Sequence, residues 1–151
     1  MSGARPSDVE GGDPGADPVD GDEPAAGSER AASEALVRRI ATLAEEKAAT
    51  DLTVLDVGEL VGYTDFLIIC AVRNERQAKA VHDGVYETLK KEDDLLPAAV
   101  EGAREARWIL MDYLDCVLHV LVPEMRDRYR LDQLWGEAPR LELPSAQPPT
   151  A

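Results

Sequence analysis

The sequence predicts an α/β fold: a mixed β-sheet of four or five strands flanked by helices. Three observations carry that reading. Leu36, Val37, Ile40, Leu43 and Ala44, and later Ala78, Val81, Val85 and Leu89, recur at helical spacing with charged residues between them. Phe66 to Val72, just after Asp65, is a continuous apolar run of strand length, as a strand buried on both faces should be. Arg107 to Val122 splits its side chains into two alternating sets about a short break, the pattern of a hairpin. The order helix–strand–strand–helix–strand–strand–strand–helix suits helices packed on one sheet. Strand order does not follow from it.

Ser33 is the expected N-cap of the first helix, with Glu34 in its first turn and an end near Ala49. Leu52 to Val57 follows as a short strand rich in β-branched residues. Gly58 and Gly62 punctuate a loop before the central strand. Asn74 caps the second long helix, whose outer face carries Glu75, Arg76, Lys79, Asp83, Glu87, Lys90 and Lys91. His82 beside its apolar stripe reads as a partly solvated surface histidine. Ala98 to Gly102 is at most a short edge strand.

The hairpin is the most informative stretch. With Leu114 and Asp115 as a two-residue turn, Leu110 faces His119 and Asp112 faces Val117. Ile109, Met111, Cys116, Leu118 and Val120 then share one face, with Arg107 and Tyr113 at its ends. Trp108, Leu110, Asp112, Val117, His119 and Leu121 share the other. A one-residue slip would move His119 into the apolar set, which a buried face disfavours. Pro123 ends the second strand and suits the first turn of a last helix. Met125, Tyr129, Leu131, Leu134 and Trp135 would be that helix's apolar side, and Gly136 its end.

The two ends differ from this core. The 151 residues carry 16 basic and 30 acidic side chains, a formal charge of −14. Residues 1–32 are expected to be a disordered acidic tail, because they hold too little apolar surface to offset the entropy of ordering. Residues 136–151, with Pro139, Pro144, Pro148 and Pro149, read as a second, proline-rich disordered tail. One domain over residues 33–135 lies between them.

Composition also excludes function classes. No apolar run approaches the ~20 residues of a membrane span, and no secretory signal is evident, so a cytoplasmic location is expected. Cys70 and Cys116 lie in apolar runs and read as buried hydrophobes. With His82 and His119 they do not form a zinc-binding pattern. The core keeps an acidic excess, so phosphate backbones should repel it and a partner should offer a basic or apolar protein surface. Phosphate-binding glycine motifs and a nucleophile elbow are absent from the sequence. Asp112 and Asp115 straddle a turn and do not alternate on one strand, which leaves no carboxylate pair suited to metal-dependent phosphoryl transfer. The face bearing Trp108, Asp112 and His119 has two readings. One is a half-buried tryptophan under a helix, with the histidine satisfied by a carboxylate. The other is a protein-docking patch, an aromatic anchor ringed by polar groups.

Six segments carry a family resemblance: Leu55-Asp-Val57, Thr64-Asp-Phe-Leu-Ile-Ile-Cys70, Val100-Glu-Gly102, Trp108-x-x-x-Asp112-Tyr-x-Asp115, Val117-x-His119-Val, and Tyr129-x-Leu131-x-x-Leu134-Trp135. Over about residues 33–135 the chain resembles the ribosomal silencing factor S, or Iojap-like, family. The resemblance implies a nucleotidyltransferase-like α/β fold without transferase activity, and so no enzyme and no cofactor. It implies a homodimer that docks on the large ribosomal subunit through the L-fourteen protein. There it blocks joining of the small subunit and represses translation when nutrients are short. The expected docking patch is Glu101, Gly102, Trp108, Asp112, Tyr113, Asp115 and His119. Trp108 would anchor, Asp112 and Asp115 would accept from basic side chains, and His119 would orient an acidic neighbour. A metal-dependent nucleotidyltransferase and an acidic adaptor working through its tail are the alternatives. Two segments depart from the family pattern. Ala71-Val-Arg-Asn74 stands where a Thr-Gly-x-Ser-like segment is usual, and Leu114 where glycine is usual. Leucine there predicts a turn that is strained or opened into a longer loop.

Overall fold

The computed structural model describes residues 22–61, 64–130 and 138–141. The chain divides into a unit ending at Glu34 and a second unit from Ala35. In the first, helix α1 (Asp22–Glu46) is already under way, and Arg30 pairs with Glu34 one turn on. The expected N-cap is therefore overturned: Ser33 is an interior helical residue, and the helix starts eleven positions earlier. Ala25, Ala26, Glu29, Arg30, Ala31 and Ala32 are nearly all strong helix formers, so local propensity extends the helix without an apolar stripe.

In the second unit the strands are β1 (Thr50–Asp56), β2 (Phe66–Ala71), β3 (Ala99–Glu101), β4 (Trp108–Asp112) and β5 (Cys116–Leu121). They form one mixed sheet in the order β1-β2-β5-β4-β3. Only β2 and β5 run parallel. The central position of β2 explains its unbroken apolar run, since Phe66 to Cys70 are buried whichever face they take. A one-turn helix α2 (Gly58–Val61) replaces the loop expected there.

One face of the sheet is covered by the part of α1 from Ala35 onward and by helix α3 (Glu75–Asp93). Val37, Ile40, Val81, Val85 and Leu89 are fully buried there against Phe66, Ile68, Ile109, Met111 and Leu118. Asn74 caps α3 as its sequence predicts, its side chain accepting from the Gln77 N–H at 2.9 Å. Gln77 is buried and ties two helices together. Its amide donates to the Lys47 and Ala48 carbonyls at 3.0 and 2.8 Å and accepts from the Arg73 N–H at 2.7 Å. The two carbonyls of the turn that follows α1 are thereby satisfied. In this chain the Arg73-Asn74 segment works as an internal helix cap.

The hairpin register is the expected one: Leu110 pairs with His119 and Asp112 with Val117. Its turn is strained, as the leucine predicts. Leu114 has φ +73°, the Asp115 N–H donates to the Tyr113 carbonyl at 2.8 Å, and the Tyr113 N–H donates to Cys116 at 2.9 Å. The chain thus reverses over two residues through a γ-turn of the rare hand, which costs a branched residue about 1–2 kcal/mol.

The second tail reading also changes where residues are described. Residues 138–141 run along the outer edge of β1. The Asp56 N–H donates to Pro139 at 2.7 Å, the Leu141 N–H donates to Val54 at 2.9 Å, and Leu55 and Arg140 form a bridge. Proline fits an edge position because it lacks only the donor, and its carbonyl still accepts. The other end of β1 is protected differently. Asp51 sits at φ 51° in a register shift, and Arg126 Nη2 donates to its carbonyl at 3.1 Å. A bulge and a covered edge both discourage pairing with another chain. The last described helix, α4 (Pro123–Tyr129), has Pro123 at its start. Leu131, Leu134, Trp135 and Gly136 lie outside the described residues.

Candidate functional site: an aromatic and acidic surface on the β3–β5 edge

The sheet's second face is built by strict alternation. Leu55, Leu67, Ile69, Val117 and Leu121 are buried in a second apolar cluster, with Trp108, Leu110 and Met125 partly buried at its border. Beyond that border the surface turns polar. Asp112 lies half-buried on the same face of β4, and Glu101, paired with Leu110, projects from β3 on that face too. Five of the seven expected residues are therefore brought into one region: Glu101, Gly102, Trp108, Asp112 and His119. Asp115 lies at the adjacent hairpin tip.

Trp108 is held on three sides. Its indole N–H donates to His119 Nδ1 at 3.0 Å. Its ring lies 4.8 Å from that of Tyr129 on α4, tilted by 48°. Below it the backbone of Arg107 accepts from Val122. Arg107 itself pairs with Glu124 at the start of α4. A large aromatic side chain is thus fixed in one orientation while remaining partly exposed.

His119 departs from both roles expected of it. Among the described residues no carboxylate orients it and it orients none; its partner is the tryptophan. Because Nδ1 accepts, the neutral ring carries its proton on Nε2. Burial depresses its pKa to about 4. The unfolded chain, with a histidine near 6.5, then takes up a proton that the folded chain refuses. His119 therefore costs no stability above about pH 6.5 and a growing amount as pH falls toward 4, up to roughly 3 kcal/mol from a shift of this size. The expected result is a melting temperature that falls between pH 6.5 and 4, with a shallower fall in His119→Gln, whose amide still accepts from Trp108. Equal slopes in thermal melts of the two proteins would remove His119 as the cause.

Asp112 has one internal duty: Oδ1 accepts from the Leu114 N–H at 2.8 Å and braces the turn. Asp115 is exposed, and its backbone carbonyl accepts from the Asp65 and Phe66 N–H groups at 3.0 and 3.2 Å, locking the tip to β2. Glu101 is exposed, and its backbone is held in the ladder opposite Leu110. Gly102 has φ +79°, and a Cβ placed on it would stand 2.0 Å from the Trp108 carbonyl oxygen. Its place in the motif thus has a backbone reason.

Tyr113 does not join the patch. It points to the other face with Ile109 and Met111 and is 4% exposed. Burial pushes its hydroxyl pKa up, and no hydrogen-bond partner for it stands among the described residues. The alternation of the strand already assigned it to that face. Tyr129 is what sequence reasoning missed: expected only on the apolar side of the last helix, it is 46% exposed and forms one wall of the Trp108 cluster.

Cys70 and Cys116 are buried, and burial pushes both thiols up to about 12, far from the thiolate a redox site needs. Among the described residues no three His, Cys, Asp or Glu side chains gather as metal ligands. No described helix is long and apolar enough to cross a membrane.

Known proteins resemble this chain in sequence and in fold. Residues 30–151 match the family described as ribosomal silencing factor during starvation. The chain is 31% identical over 108 residues to ribosomal silencing factor RsfS of Bacillus subtilis, covering 72% of this chain and 91% of that one. To the protein of the same name from Halalkalibacterium halodurans it is 32% identical over 99 residues, covering 66% and 84%. A crystal structure from Bacillus halodurans has a TM-score of 0.64 at 28% identity, covering 73% of this chain and 99% of that one. Matched in sequence over most of its length and in its fold, the chain belongs to the ribosomal silencing factor family.

Proposed function

We propose that this protein binds the large ribosomal subunit through its L-fourteen protein and sterically blocks association with the small subunit. Translation is thereby repressed under nutrient limitation, in the cytoplasm, and no reaction is catalysed. Family membership over residues 30–151 is the observation that carries the reading. Charge supports the choice of partner. A chain of net charge −14 is repelled by ribosomal RNA and attracted to a basic protein exposed on the particle. Trp108 offers the anchor, and Glu101, Asp112 and Asp115 offer acceptors around it. The protein acts as a homodimer whose folded domain over residues 33–135 is the working part.

The test adds purified protein to large subunits, then small subunits, and measures joined particles on a gradient. Joined particles should fall as protein rises, and the effect should weaken with salt because exposed charges are screened. A chain without residues 1–32 should act as the full chain does. Undisturbed joining at saturating protein, or turnover of any nucleotide, overturns the proposal.

A further inference from the structure

Leu114 combines three properties that structural stability alone does not explain. It occupies a positive φ of +73°, where glycine would be free of strain. It is 63% exposed, the most exposed large apolar side chain among the described residues. It also sits on a rigid tip: Asp112 Oδ1 holds its N–H, and the Asp115 carbonyl is anchored to Asp65 and Phe66. The backbone is thus strained to present an isobutyl group to water, and burial returns nothing for it. Strain that persists without packing compensation marks a place where the conformation is used.

We propose that Leu114 is an affinity- and specificity-determining knob of the docking surface. It inserts into an apolar hole on the protein partner whose rim is basic. The carboxylates of Asp112 and Asp115, one on each side of it, set the charge of that rim. This rests on the docking reading above and extends it to a residue outside the expected patch. The tip is already ordered, so docking immobilises little that was free, and the apolar contact is realised almost fully as affinity. An apolar knob discriminates among partners by the presence of a matching hole.

Strain and binding make opposite demands on this residue, which separates them experimentally. The full-length protein, Leu114→Gly and Leu114→Met are each titrated against purified large ribosomal subunits at fixed salt, and each is melted. Leu114→Gly should melt at the same temperature or a few degrees higher and bind about tenfold more weakly. Leu114→Met, which keeps an apolar knob, should bind within about threefold of the parent. Unchanged affinity in Leu114→Gly overturns the knob. A lower melting temperature in Leu114→Gly overturns it as well, since Leu114 would then be a packing residue. If the parent itself fails to bind large subunits, the docking reading and the knob are overturned together.

Discussion

Trp108→Ala is expected to weaken binding to the large ribosomal subunit by about 30-fold or more, the loss typical of a central aromatic anchor. The expectation comes from how the side chain is held. The indole N–H is fixed on His119 Nδ1 at 3.0 Å and the ring leans on Tyr129 at 4.8 Å. The exposed edge is thus oriented before a partner arrives, and binding does not have to order it. Trp108→Phe separates area from hydrogen bonding. It retains most of the apolar surface and should bind more tightly than the alanine variant. It also strands the His119 acceptor in a buried site and should lower stability by about 1–3 kcal/mol. Cosedimentation reports the first effect and thermal melting the second. A folded Trp108→Ala protein that cosediments like the parent removes Trp108 from the interface.

Gly102→Ala is expected to be the most damaging small substitution to the fold, costing about 3 kcal/mol or more. Two penalties coincide. The φ of +79° is unfavourable for any residue with a Cβ, and that Cβ would stand 2.0 Å from the Trp108 carbonyl, a backbone atom that cannot swing aside. Relieving the clash requires β3 to move off β4, and those strands hold the docking face together. For a domain of this size such a loss lowers the melting temperature by roughly 12 °C or more. Melting curves of the parent and variant decide it. A variant that melts within about 2 °C of the parent would mean that the β3–β4 loop relaxes freely.

Much of the fold is legible in the sequence because the relevant signals are local. The two-residue turn sets a register, and the register sets the two faces of the hairpin. Leu110 therefore meets His119, and Ile109 and Met111 meet the core, as alternation requires. The same rule placed Tyr113 with the core, while the motif resemblance placed it in the docking patch, and alternation was the better guide. The helix start was misread because Ser33 is a good cap only where the helix must begin. Preceded by alanines, it becomes one more helical residue. His119 was misread for another reason. A histidine can accept as well as donate, and sequence does not say which neighbour it meets.

By itself the sequence determined the strands, the two long helices, the hairpin register, the acidic character and the family. These are written in periodicity, charge and short motifs, which act over a few residues. Only the tertiary structure decided the order β1-β2-β5-β4-β3, the strand-like docking of residues 138–141 on Val54 to Asp56, and the pairing of Trp108 with both His119 and Tyr129. Each of these joins groups whose meeting depends on how separate elements stack. Burial and hydrogen-bond satisfaction are properties of the assembled domain, so residues far apart in the chain settle them together.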